Sequence, residues 1–305
     1  MTRGVLLMAY GSPESPEDVE PYYTHIRGGR KPSPEAVQRL RERYEMVGGR
    51  TPLLRVTREV AAELERLLNV SPGDSPWKVY VGMKHWHPFI SEAAEQIASD
   101  GIRELTAVAL APHYSKMSVG GYRKAIDHAL AAAASPAKLA FVDSWHLKES
   151  FISLIAARIT SALEQWPAEQ RAGVKVLFSA HSLPARIREW NDPYEEQLLD
   201  SCRAISLQAA HENWMFAWQS AGNTGEPWLG PDILDVLESL HTDGVKDVLS
   251  VPVGFVCDHL EIEYDIDYEA ASKAREFGMT FRRTAMLNAD PAFVRVLASI
   301  IEEAG

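Results

Sequence analysis

The strongest constraint on this chain is an alternation. Short apolar, β-branched runs recur at 4–9, 78–82, 105–111 and 139–143, and again at 174–180, 215–219, 248–253 and 280–283. Helix-period segments separate them, at 33–47, 53–68, 90–100, 122–134, 151–165, 194–208, 233–241, 260–277 and 291–303. Nearly continuous apolar strands are buried on both faces, and parallel neighbours need helical crossovers. The pattern therefore predicts an α/β protein of two doubly wound domains, residues 1–145 and 146–287, joined near 143–150. Helix punctuation agrees: Ser15-Pro16-Glu17-Asp18, Ser33-Pro34-Glu35 and Asp290-Pro291 each set a cap before a first-turn proline. No strand is followed by Gly-x-Gly-x-x-Gly or by a Walker-type loop, so nucleotide binding has no support.

At 305 residues the chain can bury two ordinary cores. A formal charge of −11 argues against nucleic acid as partner. Only Cys202 and Cys257 are present, which excludes a disulfide scaffold, a Cys-rich zinc site and a four-cysteine cluster. No apolar run approaches the roughly 18 residues of a membrane span. The apolar start that ends at Tyr10-Gly11 is too short for a signal segment and reads as a first strand. A cytoplasmic protein with no integral membrane segment is expected.

Charge is unevenly spread. Between Arg27 and Arg58 stand Arg27, Arg30, Lys31, Arg39, Arg41, Arg43, Arg50, Arg55 and Arg58, against Glu35, Glu42 and Glu45. Many of these arginines simply solvate helix faces, but such a patch in an acidic chain suits a small polyanion.

Each strand run closes on polar residues: Tyr10-Gly11-Ser12, Lys84-His85-Trp86-His87, His113-Tyr114-Ser115, Ser179-Ala180-His181-Ser182, Gln219-Ser220 and Cys257-Asp258-His259. Any one could be a structural group. Their recurrence predicts imidazoles, phenols and hydroxyls gathered in one crevice, because open α/β sheets bind ligands beyond the strands' carboxyl ends. Further on, Glu261, Asp265 and Glu269 recur at i, i+4 and i+8, near one helix face, with Asp258 nearby. Like charges so spaced cost about 0.2–0.5 kcal/mol per pair even in water. A solvated acidic face is the plain alternative. Against it, Glu261 and Asp265 have no basic residue at i+4, and the row follows an apolar strand directly. An imidazole facing carboxylates suits a hard or borderline divalent cation and proton removal. A closed zinc site would need four tightly spaced nitrogen or sulfur ligands. An ion that is handed onward needs fewer.

The stretches Met8-Ala9-Tyr10-Gly11, Tyr22-Tyr23-Thr24-His25-Ile26-Arg27, Arg43-Tyr44-Glu45, Lys84-His85 and Leu110-Ala111-Pro112-His113 resemble the ferrochelatases. So do Ser179-Ala180-His181-Ser182-Leu183-Pro184, Trp218-Gln219-Ser220, Trp228-Leu229-Gly230-Pro231-Asp232 and Val251-Pro252-Val253-Gly254-Phe255. The likeness covers essentially the whole chain and is nearest the short coproporphyrin-type enzymes of Gram-positive bacteria. It implies two Rossmann-like, chelatase-type domains of four parallel strands each, with the C-terminal helix in 288–305 packing back on the first. It implies that His181 and Glu261 are the catalytic and metal-site pair for Fe²⁺. Asp265 and Glu269 match an outer site that can hold Mg²⁺, on a helix that is commonly π-helical in part. Tyr10 matches an axial ligand of the product iron. Arg27, Arg43, Tyr44, Thr51 (where Ser is usual) and Tyr122 match porphyrin-contacting positions, and Lys84 and His85 are placed in the same cleft. The chain stops without the C-terminal extension of some relatives, in keeping with a soluble form.

The implied activity is insertion of Fe²⁺ into a free-base porphyrin in haem biosynthesis, with coproporphyrin III favoured because its four propionates suit the basic stretch. Fe²⁺ is then a substrate, and no tightly bound cofactor is expected beyond Mg²⁺ at the outer site. A monomer in transient contact with another haem-pathway enzyme is expected. Protoporphyrin IX as substrate, a cobalt chelatase of the cobalamin route, and a non-catalytic haem or metal carrier stand as alternatives.

Overall fold

A computed structural model describes residues 2–70, 75–222 and 224–304. The first sheet is formed by β1 (Arg3–Ala9), β2 (Trp77–Met83), β3 (Glu104–Ala109) and β4 (Lys138–Val142), all parallel, in the order β2-β1-β3-β4. The second repeats the plan with β5 (Lys175–His181), β6 (Trp214–Gln219), β7 (Asp247–Val251) and β8 (Thr280–Arg283), ordered β6-β5-β7-β8. In both, chain order reverses between the two inner strands, so the crevice of each sheet opens beyond β1 and β3, or β5 and β7. Val5 to Met8 and Val176 to Ala180 are buried almost without remainder, which explains why neither strand alternates polar with apolar.

The helices are α1 (Val19–Ile26), α2 (Pro34–Met46), α3 (Leu53–Leu68), α4 (Ile90–Ser99), α5 (Val119–Ala132), α6 (Glu149–Leu163), α7 (Tyr194–Gln208) and α8 (Ile233–Thr242). Beyond β7 come α9 (Leu260–Glu263), a π-helical turn Asp265–Ala270, α10 (Ala271–Glu276) and, after β8, α11 (Pro291–Ala304). The final helix lies against α3, α6, β3 and β4, and its Phe293, Val294, Leu297 and Ile301 join a core that includes Val60, Leu64, Ile155 and Ile159. None of the described helices is long and apolar enough to cross a membrane.

Differences from the sequence reading have local causes. β7 stops at Val251 because Pro252 has no N–H to donate. Of the caps, Ser33 accepts from the Ala36 amide and Asp290 from that of Ala292, at 3.2 and 2.7 Å. Ser15 makes no such bond; its Pro16–Asp18 stretch is a 3₁₀ turn that runs into α1. α1 itself escaped the periodicity because it buries only Val19 and Tyr22.

Candidate active site

Each functional side chain sits where a strand stops. β1 ends at Ala9, and Gly11, at φ +96°, turns the chain sharply there; a Cβ at Gly11 would lie 2.8 Å from the Trp86 amide nitrogen. The turn leaves Tyr10 projecting, 44% exposed, with Ser12 behind it. Ser12 Oγ meets Tyr44 Oη at 3.1 Å and Thr51 Oγ1 at 2.9 Å, and Tyr22 Oη donates to the Gly11 carbonyl at 3.1 Å. Tyr44, Thr51 and Tyr122 are buried beneath this wall. Lys84, after β2, lies with Nζ 5.1 Å from the centre of the Tyr122 ring, in room that Gly121 provides: a Cβ there would be 2.5 Å from Nζ. His85 packs on Tyr10 with ring centres 4.5 Å apart.

β5 ends in His181, whose Nδ1–H donates to Glu261 Oε2 at 2.9 Å; the side chains are 33% and 30% exposed. Glu261 begins α9 just after the β7 loop, and its backbone is pinned by Gln219 Nε2, which donates to the Glu261 carbonyl at 2.8 Å. Gln219 is itself held by Ser179 Oγ at 2.7 Å, and Tyr194 Oη donates to the His181 carbonyl at 3.1 Å. Trp228 sets its ring edge-on to His181 at 6.2 Å. His259 Nδ1–H donates to the Cys257 carbonyl at 3.0 Å, which turns its Nε2 toward Glu261 Oε2, 3.9 Å away.

Electrostatics divide the two walls. Burial works against charge on both His181 and Glu261, but their pairing prevails: the Glu261 acid falls well below the usual carboxylate range, and the His181 imidazole is raised. Across the cleft, desolvation and then the Glu261 charge raise the Tyr10 phenol. Burial does the same to Tyr22, Tyr44 and Tyr122, and each also feels Glu261. The Glu261 charge thus adds to burial in keeping all four first-domain phenols protonated. Burial lowers Lys84, and burial followed by the Lys84 charge pushes His85 down to about 3.

The acidic row divides in two. Asp265, buried, bonds Arg43 through Oδ1 and Ser220 through Oδ2. Burial raises it to about 6 despite Arg43. Glu269 is also raised, by burial first, with Arg43 opposing. The π-helical turn that the resemblance implied is present between these two. Asp258, expected beside them, instead joins Asp267 on Arg283, at 3.1 and 2.7 Å, and takes the Asn288 amide at 2.7 Å. Arg43 from α2 thus gives Asp265 the cation its own helix lacks, while Arg283 from β8 takes Asp258 and Asp267. Both oxygens of Asp265 are engaged, and a guanidinium sits beside it. Among the described residues no three His, Cys, Asp or Glu side chains form a metal-holding group.

Other expected residues are scattered. Arg27 is exposed at the end of α1, over the Tyr23 ring at 5.8 Å, without an acidic partner among the described residues. Arg43 lies over Tyr264 at 4.3 Å. His87 turns away to Glu92 at 2.9 Å, and His113 is buried against Ser201 Oγ at 2.9 Å, so neither strand-end histidine reaches the crevice centre. Gln219, Ser220, Tyr194, His259 and Trp228 were not singled out as site residues. For most of them the signal was their place at a strand end or in the Trp-Leu-Gly-Pro-Asp segment; Tyr194 had none.

A family model described as Ferrochelatase matches residues 2–305. A protein named ferrochelatase from Herpetosiphon aurantiacus is 50% identical over 297 residues, 97% of each chain. Coproporphyrin III ferrochelatases of Oceanobacillus iheyensis and Bacillus subtilis are 43% and 41% identical, covering 98% of this chain and 95% and 96% of theirs. Among solved structures, SirB from Bacillus subtilis with Fe³⁺ matches with TM-score 0.64 at 10% identity, covering 100% of this chain and 96% of that one; this likeness bears on the fold alone.

Proposed function

The chain belongs to the ferrochelatase family and so inserts Fe²⁺ into a porphyrin in haem biosynthesis, and from that premise we propose coproporphyrin III as its substrate, with His181 and Glu261 handling metal and protons. The observation that carries the reading is the 2.9 Å contact between His181 Nδ1 and Glu261 Oε2, facing neutral phenols across the cleft.

Metallation exchanges one dication for two pyrrole protons. His181 and Glu261 can hold the ion or the protons, not both. In the free protein the pair keeps a proton on the imidazole, and an arriving Fe²⁺ displaces it, since a ligand nitrogen must be deprotonated. As iron passes to the ring nitrogens, two basic sites are vacated and two protons need acceptors. The carboxylate and the imidazole each take one; the imidazole proton displaced by Fe²⁺ and the proton then shed by the carboxyl both go to solvent, so two protons leave per iron inserted and the pair is restored. Gln219, which fixes the Glu261 backbone, and Tyr194, which fixes His181, keep both groups from following the metal.

A flat macrocycle shields its own nitrogens, so the ring must be held distorted by binding energy from its periphery. Tyr10, projecting into the cleft, and the buried Tyr122 give the first-domain wall a neutral face for the ring. Lys84 and Arg27, which have no carboxylate partners among the described residues, are free to take propionates. Arg43, committed to Asp265, is less available for that task. Two free cations would serve either porphyrin; the relatives' named substrate supports coproporphyrin III.

The test is a side-by-side insertion assay with coproporphyrin III and protoporphyrin IX under identical iron supply. Coproporphyrin is expected to give the higher kcat/KM. A preference for protoporphyrin overturns the substrate assignment, and stoichiometric binding without metallation would mark a carrier.

A further inference from the structure

A second pair of imidazoles stands on the first-domain wall. His25, in the last turn of α1, and His85, just beyond β2, face each other through their Nδ1 atoms at 3.1 Å, with ring planes 72° apart. Two nitrogens bound to one ion at about 2.0–2.1 Å lie about 2.8–3.4 Å apart between octahedral and tetrahedral angles. The observed spacing falls in that range. It also fits a single N–H···N hydrogen bond, so distance alone does not decide.

Three further features favour a cation. Both rings are braced: His85 packs on Tyr10 at 4.5 Å and His25 on Phe89 at 5.0 Å, so ligation would order little that is not already ordered. Among the described residues no carboxylate claims either Nδ1, unlike the neighbouring His87, which Glu92 holds at 2.9 Å. His25 is exposed, which opens the pair to solvent.

We propose that His25 and His85 form a second, weaker site for a borderline divalent metal ion, separate from His181 and Glu261. Two imidazoles with water in the remaining positions suit the class of ion that the chelatase handles. The neighbouring Lys84 ammonium opposes a dication, so the affinity is modest. Occupancy ties His85 to a fixed ion beside Tyr10 and obstructs the wall that receives the porphyrin. Excess metal therefore slows turnover. This last step rests on the chelatase reading; the site itself does not.

Calorimetric titration with Ni²⁺ tests the site without any turnover. The wild-type protein is expected to bind one ion more than His25→Ala. The double variant His181→Ala, Glu261→Gln is expected to retain the His25-dependent ion. Circular dichroism and melting of His25→Ala check that the exposed substitution leaves the fold intact. Equal stoichiometry in wild type and His25→Ala overturns the site and leaves a plain imidazole hydrogen bond. In insertion assays, His25→Ala is expected to match wild type at low metal and to lose the inhibition at high metal. A second ion without inhibition overturns the obstructive role alone.

Discussion

The two walls of the cleft share one architecture and differ in charge. On the first-domain side, Tyr10, Tyr22, Tyr44 and Tyr122 are all held as phenols by desolvation, and His85 is held neutral. On the second-domain side, His181 and Glu261 sustain each other's charge. Two histidines make the contrast sharp. His113 follows β3 and His181 ends β5, yet His113 meets only a hydroxyl, leaves Nδ1 without a partner, and is pushed by burial down to about 3. A hydroxyl cannot repay the desolvation of an imidazolium, whereas a carboxylate can. Two imidazoles beyond strand ends thus acquire different chemistry from one neighbour. A neutral wall receives the macrocycle, and a charged wall trades cations for protons.

The contrast breaks most visibly if the charged wall is neutralised. Glu261→Gln keeps the shape and removes the charge, and insertion is expected to fall about 10²–10⁴-fold, as when a general base is lost. Coproporphyrin binding, followed by fluorescence quenching, should stay close to wild type, because the other wall carries it. A near-normal rate in Glu261→Gln would end the division of labour. Arg43→Ala comes next. It strands the buried Asp265, and removing one partner of a buried pair costs about 3–5 kcal/mol; with Arg43 35% exposed we expect about 2 kcal/mol. Burial already raises Asp265 to about 6, so urea midpoints should show the loss at pH 8 and largely not at pH 5, where the acid is protonated.

Most of the fold was legible because its signal is redundant. Most strands were dense apolar runs, β8 being the exception, and the π-helical segment was bounded correctly as one helix, since i, i+4 spacing survives a local widening. α1 was illegible for the opposite reason: a helix that buries two side chains leaves almost no period. At the site, His181 and Glu261 stood out by type and place. Nothing local could reveal that Arg43 from α2 would pair with Asp265, 222 residues away, or that Arg283 from β8 would draw Asp258 away from the row. Nor could strand-end position tell His113 from His181. That distinction depends on whether Ser201 or Glu261 arrives opposite.

Smaller effects sharpen the contrast on the neutral side. The folded His113 takes up its proton only near pH 3, whereas an unfolded one does so near 6.5. The unfolded state therefore binds more protons between those values, and stability falls as pH drops through the window. At one pH unit below 6.5 the cost is about 1.4 kcal/mol. His113→Gln should remove that share of the difference between urea unfolding at pH 7.5 and at pH 5.5, whatever its effect at neutral pH.

Lys84 gives the least expected effect and the finest test. Its ammonium is half-buried over Tyr122 with no carboxylate to offset the desolvation, so in the free protein it costs stability. Lys84→Met keeps the length of the chain and the contact with the ring, and should raise Tm slightly. If the charge is held for a propionate, KM for coproporphyrin III should rise by about 5–10-fold, close to 1 kcal/mol, with kcat unchanged. Added salt should weaken the wild type toward the variant and leave the variant itself little affected. If KM does not move while Tm rises, the lysine is only a filler over Tyr122. The neutral wall would then select its substrate by shape, and the choice of coproporphyrin would have to be made elsewhere in the cleft.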